Sequence, residues 1–222
     1  MFNQFLYHRT EVPVIEQGED RFYQTPDGTF PSVTTVLSRL KDNTQLDKWR
    51  NKVGNEEADA IRFQANEKGK TLHSLAERYL SNDENWKQGI ASVNLSTFRP
   101  IQKFLDENVI TVYGLELLVW SKKLKIAGRT DALVDWKNGK HIIDFKTSKR
   151  EVKEDSTKAY FFKLQATIYA MLVEEHYWTS VPYSTILVMQ NGRGPLIISF
   201  KNGEMREEAE ALIKKIPELF PG

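Results

Sequence analysis

One candidate β-hairpin constrains the fold of this 222-residue chain more than any other feature. Leu124–Trp136 and His141–Ser148 are rich in β-branched and apolar residues, which predicts two strands. Asn138-Gly139 between them is a strong signal for a two-residue turn. Together with Val112–Trp120 just upstream, the hairpin predicts a three-stranded antiparallel meander.

The hairpin carries charges where a buried sheet should be apolar. The two-residue turn pairs Asp131 with Lys146 and Leu133 with Asp144, and alternation places all four on one face. The two carboxylates are then diagonal neighbours, roughly 7–8 Å apart at the backbone. Because converging carboxylates in a partly buried place repel, they need a cation or a shared proton. The pattern therefore favours a divalent metal site beside Lys146.

Two alternatives stay open. Asp131 and Lys146 could form an ordinary cross-strand salt bridge, with Asp144 capping a nearby group. Asp135 is also as near to Asp144 by the diagonal rule as Asp131 is, so register alone does not choose between them. Proximity to Lys146 favours Asp131 as the aspartate that shares the metal site with Asp144.

The remaining pattern predicts an α/β fold. Hydrophobic periodicity predicts further helices and strands before and after the meander in the sequence. The predicted elements are a short hairpin from Arg21–Gln24 and Thr29–Phe30, helices at Glu56–Leu80, about Thr97–Glu107 and Tyr160–His176, strands at Tyr183–Gln190 and Pro195–Phe200, and a helix from about Gly203. We expect one domain, with an N-terminal elaboration (1–68), a catalytic core (69–200) and a C-terminal helix (201–222).

Composition narrows the chemistry and the partners. Cysteine is absent, which excludes disulfides, thiolate nucleophiles and cysteine-held iron–sulfur clusters. Carboxylate ligands without thiolates favour Mg²⁺, with Mn²⁺ as a substitute. The 31 Lys and Arg nearly balance 30 Asp and Glu, so an anionic partner must be held by a local basic surface.

The N-terminal region predicts a cytoplasmic protein with no membrane partner. It has no apolar run of signal-peptide length, and Glu11 and Glu16 argue against a transit peptide. No stretch reaches the roughly 20 apolar residues of a membrane span. A bacterium or a virus-infected cell is the expected setting, and the sequence makes no prediction of the oligomeric state.

Residues outside the hairpin add candidates for the same site. His73 lies on the flank of an apolar helical stripe, and Gln165 and Tyr169 share one face of a later helix. Glu116 interrupts the apolar run of the first meander strand. Each also has an ordinary explanation, because a lone helical His is often structural, a Tyr is often core, and a Glu on an edge strand is solvated.

Four motifs occur in order: GKTLH, GRTD, DFK and QATIY. They resemble the Gly-x-x-x-His, Gly-x-x-Asp, Asp-x-Lys and Gln-x-x-x-Tyr motifs of the RecB-like branch of the PD-(D/E)xK nuclease superfamily. Upstream, PSVTTVLSRL and LDKWRNKVGNEEADAIR resemble the mitochondrial genome maintenance exonuclease group and its viral and bacterial relatives. In one departure, Thr130 replaces the Pro that names the superfamily. The resemblance implies a restriction-endonuclease-like core of a helix, a three-stranded meander, a helix and a strand, with additional N-terminal and C-terminal helices.

The resemblance also implies a function and a set of roles. It indicates a Mg²⁺-dependent DNA exonuclease that prefers single strands or free ends, in replication, repair or recombination. The implied metal ligands are His73, Asp131 and Asp144, with Glu116 at a less constant acidic position, and the implied catalytic residues are Asp131, Asp144 and Lys146. Alternatives are a structure-specific endonuclease and a non-catalytic DNA-binding scaffold subunit, although a degenerate scaffold would be expected to have lost one of the three catalytic residues.

Nucleic-acid contacts are expected from residues around this core. Ser32, Thr34 and Thr35 could donate to phosphates near a helix start, although Ser32 could simply cap that helix. Trp49 and Arg50 could stack on and grip a single strand or could pack internally. The full expected set is Gln165, Tyr169, Ser32, Thr34, Thr35, Trp49, Arg50, Arg129 and Lys149.

Overall fold

The computed structural model describes residues 1–40, 51–52, 54–190 and 192–220. The strands in these ranges are β1 (Asn3–Gln4), β2 (Val14–Gln17), β3 (Asp20–Thr25), β4 (Gly28–Pro31), β5 (Thr111–Ser121), β6 (Ile126–Trp136), β7 (Gly139–Ser148), β8 (Tyr183–Gln190) and β9 (Leu196–Lys201). The α-helices are α1 (Val33–Leu40), α2 (Asn55–Leu80), α3 (Ser92–Asn108), α4 (Thr157–Tyr177), α5 (Arg206–Ile213) and α6 (Ile216–Leu219), and Asn202–Met205 forms a 3₁₀ turn.

A mixed six-stranded sheet lies at the centre, in the order β1-β5-β6-β7-β8-β9. Strands β5, β6 and β7 form the predicted antiparallel meander. Strand β8 is parallel to β7 because α4 connects them as a crossover. Strands β2, β3 and β4 form a separate antiparallel sheet that includes the predicted N-terminal hairpin. The prediction of an α/β fold with this order of elements is confirmed.

Helices cover both faces of the central sheet. Helix α4 is buried over most of its length because α1 and α5 cover the side turned away from the sheet. On the other face, α2 and α3 bury Leu72, Leu75 and Phe98 against Ile143 and Phe145 of β7. The sheet is therefore buried on both faces, which explains the nearly continuous apolar runs in its strands.

The register of the β6–β7 hairpin corrects a prediction. Trp136 pairs with Gly139 and Leu133 with Ile142, so the turn is Lys137-Asn138, and the expected pairing of Leu133 with Asp144 is wrong. This register stacks the Trp136 and His141 rings, whose centroids are 3.8 Å apart. The shift is by two residues, which leaves every side chain on its predicted face because the period of a strand is two.

Two further observations concern the limits of the elements. Residue 69 lies within α2, so the predicted division at 68/69 falls inside one continuous helix. The C-terminal segment contains two short helices, α5 and α6, after the 3₁₀ turn.

Within the described ranges, no helix combines the length and the apolar character needed to cross a membrane.

Candidate active site

Three side chains from three elements converge beside the centre of the sheet. His73 comes from α2, Glu116 from β5 and Asp131 from β6, and one ligand atom of each lies within 4.8 Å of the others. His73 Nδ1 is 3.2 Å from Asp131 Oδ1 and 3.9 Å from Glu116 Oε1. These residues, called the acidic cluster below, were all predicted as metal ligands.

The peptide groups of Phe145 hold two members of the acidic cluster in place. The β6–β7 ladder runs to the Ala132–Ile143 pair, after which Phe145 N donates to Asp131 Oδ2 at 2.7 Å. The carbonyl oxygen of Phe145 is 2.9 Å from His73 Nε2. Since a carbonyl can only accept, Nε2 carries the proton of this bond. The strand that supplies Asp144 and Lys146 thus also orients His73 and Asp131.

The backbone of Glu116 is strained. Its φ of 49° lies in the left-handed region, which costs free energy for a residue with a side chain. Leu115 pairs with Ala132 and Leu117 with Thr130, so Glu116 lies opposite Asp131. The strained conformation therefore coincides with the convergence of the cluster carboxylates.

Asp144 and Lys146 form a buried ion pair next to the acidic cluster. Lys146 Nζ is 2.7 Å from Asp144 Oδ1 and 2.6 Å from Oδ2. Only the Oδ1 contact has hydrogen-bond geometry, so within the described residues Oδ2 is a buried oxygen without a donor. Burial raises the pKa of Asp144 to about 6, an effect that Lys146 opposes and the charge of Asp131 reinforces.

The carboxylates hold a proton on His73. Burial alone would lower the pKa of His73, but the carboxylates of Asp131, 3.2 Å away, and Glu116, 3.9 Å away, outweigh it and raise the pKa to about 10. In the absence of another cation, the imidazolium supplies the positive charge that converging carboxylates require.

The donor set of the acidic cluster can hold a divalent metal ion. The acidic cluster offers one imidazole nitrogen and two carboxylates. Asp144, the fourth predicted ligand, lies outside this group and contacts Lys146 Nζ with both of its oxygens. His73 already donates its Nε2 proton to a backbone carbonyl, which is the usual second interaction of a metal-binding histidine. Its Nδ1 is thereby left to face the carboxylates.

Gln165 and Tyr169 of α4 line the same cleft, which has a volume of about 310 Å³. Gln165 Nε2 donates to Tyr169 Oη at 3.2 Å, and both residues are buried. Burial raises the pKa of Tyr169 well above its usual value. A Cβ at Gly128 would lie 2.6 Å from the Tyr169 ring, so the first glycine of GRTD leaves space for this tyrosine.

Three hydroxyl side chains at the start of α1 have either a structural contact or a position in the cleft, or both. Ser32 Oγ accepts from Thr35 N at 3.0 Å, which is an N-cap bond, and Thr35 Oγ1 accepts from Arg21 N at 2.9 Å. Ser32 and Thr34 also line the cleft, and their hydroxyls are 2.9 Å apart. The capping explanation for Ser32 therefore holds alongside its position at the cleft.

Arg129 lines the cleft, and sequence reasoning missed its partner Glu11. Its Nη2 is 2.6 Å from Glu11 Oε2, and Nη1 donates to the Glu116 carbonyl at 3.1 Å. The hydrogen bond to Arg129 lowers the pKa of Glu11 to about 2, with Arg9 contributing. No local pattern could have identified a contact across 118 positions.

The other candidates lie apart from the acidic cluster. Lys149 is exposed just beyond β7 and lines a different cleft. Trp49 and Arg50 lie outside the described residues. Asp135 pairs with Lys140 and Thr111, four residues along β6 from Asp131, or about 13 Å at strand spacing. The ambiguity between the two aspartates is resolved by geometry, which places Asp131 in the cluster.

The chain is similar to known nucleases over most of its length. Residues 20–217 match the family described as the PD-(D/E)XK nuclease superfamily. The chain is 27% identical over 186 residues to mitochondrial genome maintenance exonuclease 1 of Mus musculus, which covers 80% of this chain and 54% of that protein. It thus spans about half the length of this curated relative. A crystal structure of a candidate exonuclease from Eubacterium rectale is similar with a TM-score of 0.45 and 10% identity, over 68% of this chain and 66% of that one. The family match covers well over half of the sequence, and this chain belongs to the PD-(D/E)XK nuclease superfamily.

Proposed function

We propose that this protein is a Mg²⁺-dependent DNA exonuclease that acts on single strands or free ends. The observation that carries the proposal is the acidic cluster of His73, Glu116 and Asp131, with ligand atoms within 4.8 Å of one another, beside the buried Asp144–Lys146 pair. Superfamily membership supports nuclease chemistry, and the mouse relative is named as an exonuclease. Replication, repair or recombination of DNA is the setting that we propose.

The acidic cluster and Asp144 would hold the ion. A bound Mg²⁺ supplies positive charge that polarises a phosphate and lowers the pKa of a nearby water. Lys146 adds an ammonium beside the cluster, where it can stabilise negative charge that develops on the phosphate. Asp144 keeps Lys146 in position through contacts of 2.7 and 2.6 Å.

Metal binding should release a proton from His73. The pKa of about 10 means that the imidazole is protonated at neutral pH, whereas a metal ligand must be neutral. Asp131 and Glu116, which hold this proton, are the same groups that would coordinate the ion. A proton and a divalent cation therefore compete for one site.

We further propose that the remaining cleft residues hold the substrate. Ser32 and Thr34 offer hydroxyls, and Gln165 and Tyr169 offer polar atoms on the opposite wall. Arg129 would bind phosphate in exchange for Glu11. Trp49, Arg50 and Lys149 remain proposed contacts with the nucleic-acid strand. In this proposal residues 1–222 act as one nuclease domain.

Digestion of end-labelled single-stranded DNA tests the proposal. We expect digestion with Mg²⁺ or Mn²⁺, none with EDTA, and loss of activity in Asp131→Asn and Lys146→Met. Asp135→Asn is the matched control, because it removes a carboxylate from the same strand outside the cluster, and it should digest like the parent. Equal activity of Asp131→Asn and the parent would refute the site assignment.

Covalently closed circular DNA separates the two nuclease alternatives. An exonuclease needs an end and should leave the closed circle intact, whereas cutting would support an endonuclease. A calorimetric titration with Mn²⁺ tests the scaffold alternative, because a scaffold has no need to bind the ion. Absence of both Mn²⁺ binding and digestion would contradict the proposed function.

A further inference from the structure

A second and larger cleft begins one residue beyond Lys146. It has a volume of about 1040 Å³ and lies between α2, α3 and the segment that follows β7. Thr147 and Ser148 line it, while the preceding Lys146 lines the acidic cluster's cleft. Alternation along β7 turns Thr147 to the face opposite Lys146, and Ser148, which also lines the second cleft, is the last residue of the strand.

The walls of this second cleft combine an apolar floor with a basic rim. The apolar lining that solvent reaches includes Ile61, Ala65 and Val93, and Leu72, Leu75 and Phe98 lie beneath it with only 1–2% of their surface exposed. The cations that line it are Lys68, Lys149, Arg150 and Lys158. Among its described lining residues the one carboxylate is Glu151, which is 3.1 Å from Arg193 in an ion pair. In a chain with a formal net charge of +1, this is a local surplus of positive charge.

One cation of the rim is tied to the catalytic side. Lys158 Nζ donates to Ser148 Oγ at 2.9 Å, and this hydroxyl in turn donates to the Arg150 carbonyl at 2.7 Å. Lys158 Nζ is 5.8 Å from the centre of the Phe162 ring, and Lys146 Nζ is 5.6 Å from the same centre. The ammonium groups of the predicted catalytic lysine and of one rim lysine therefore lie near the same phenyl ring.

We propose that the second cleft binds the segment of a single nucleic-acid strand adjacent to the scissile phosphate. This inference rests on the proposed nuclease function. Phosphates would pair with the rim cations, and unpaired bases would contact the apolar floor. The volume is at the upper end of the range of small-ligand pockets, about 300–1,000 Å³, and matches an extended ligand. An acidic peptide has compatible charge, but the start of the cleft next to Lys146 favours the substrate strand.

The proposal predicts binding that depends on strand length. The variant Lys68→Ala/Lys158→Ala removes two rim cations, and neither lysine belongs to the acidic cluster. In EDTA, it should bind a fluorescent twelve-nucleotide oligothymidylate on the order of tenfold more weakly than the parent, and a dinucleotide equally well. For the longer strand, the slope of the logarithm of the binding constant against the logarithm of the salt concentration should become shallower by about 1.4, because each of the two lost phosphate contacts contributes about 0.7 on a single strand.

Two further variants act as controls. Lys214→Ala/Lys215→Ala removes two exposed cations from the turn between α5 and α6, outside the second cleft, and should bind like the parent. Ala65→Trp fills the cleft from α2 without a change of charge and should also weaken binding of the longer strand. Thermal unfolding checks that each variant is folded.

The outcomes separate this inference from the proposed function. If the cleft variants bind and digest both strands like the parent, the inference is overturned, and a protein partner becomes the better occupant. If the parent digests neither strand but shows the predicted length-dependent binding, the nuclease function fails while the cleft still holds nucleic acid.

Discussion

Replacing Lys146 with Met should leave a buried carboxylate without its counter-charge. Asp144 is only 1% exposed, and both of its oxygens lie within 2.7 Å of Lys146 Nζ. Breaking a buried pair by removing one partner costs about 3–5 kcal/mol. Lys146 keeps 18% of its side chain exposed, which favours the lower end, so we expect a loss of about 3 kcal/mol in the free energy of unfolding at pH 8.

The loss should depend on pH in one direction. The folded-state pKa of Asp144, about 6, lies above its ordinary value of 3.8, so its contribution to stability is fully present below pH 3.8 and is lost as pH rises through 6. Lys146 lowers the pKa of Asp144, so its removal raises this pKa and makes the loss of stability at alkaline pH larger. At pH 5 the Asp144 carboxyl is largely protonated, so Lys146→Met should lose only about 1 kcal/mol in the free energy of unfolding, which is the contribution of the packed lysine stem.

Urea unfolding in EDTA at pH 5 and pH 8 measures both values. The double variant Asp144→Asn/Lys146→Met is the control, because it removes the charge together with its partner and should recover most of the stability lost at pH 8. An equal loss at both pH values, or a double variant no more stable than Lys146→Met, would refute the reasoning.

Three further predictions concern Gly128, His141 and the Glu11–Arg129 pair. Gly128→Ala places a Cβ 2.6 Å from the Tyr169 ring, and urea unfolding should show a loss of about 1–3 kcal/mol from overpacking. Burial lowers the pKa of His141 from 6.5 to about 4, so the stability that its neutral form contributes is fully present above pH 6.5 and is lost as pH falls through 4. This pH-dependent contribution is about 3 kcal/mol. His141→Phe should lack it when the free energies of unfolding at pH 7 and pH 4 are compared. Glu11→Gln weakens the ion pair with Arg129, and anisotropy in EDTA should show single-stranded DNA bound about two- to fivefold more tightly.

Matched variants show which outcomes contradict these predictions. Gly194→Ala meets no atom within 4 Å and should be neutral, and an equal loss at Gly128 and Gly194 would argue against a steric role. Glu210→Gln removes a similar carboxylate from the exposed pair with Arg206, which lines neither cleft, so equal tightening in both glutamate variants would indicate a general charge effect. Parallel pH profiles for His141→Phe and the parent would show that the histidine is not the titrating group.

Local sequence patterns predicted the elements of the core and the faces of their side chains, but they missed the short strands β1 and β2. The strand Tyr183–Gln190 and the helix from Glu56 to Leu80 could be predicted because each depends on periodicity within a few residues. Asp131, Asp144 and Lys146 were assigned to the correct face even though the register was wrong. An error of two residues preserves the alternation of a strand, whereas an error of one would have reversed it.

Only the tertiary structure decided which of these groups meet. The sequence by itself determined an α/β chain with a charged meander, the ordered motifs and the absence of thiolate ligands. It could not exclude Asp135, find the Glu11–Arg129 pair or show that Phe145 orients both His73 and Asp131. The Phe145–His73 and Glu11–Arg129 contacts join residues 72 and 118 positions apart, and their geometry depends on tertiary packing against the sheet rather than on any local propensity.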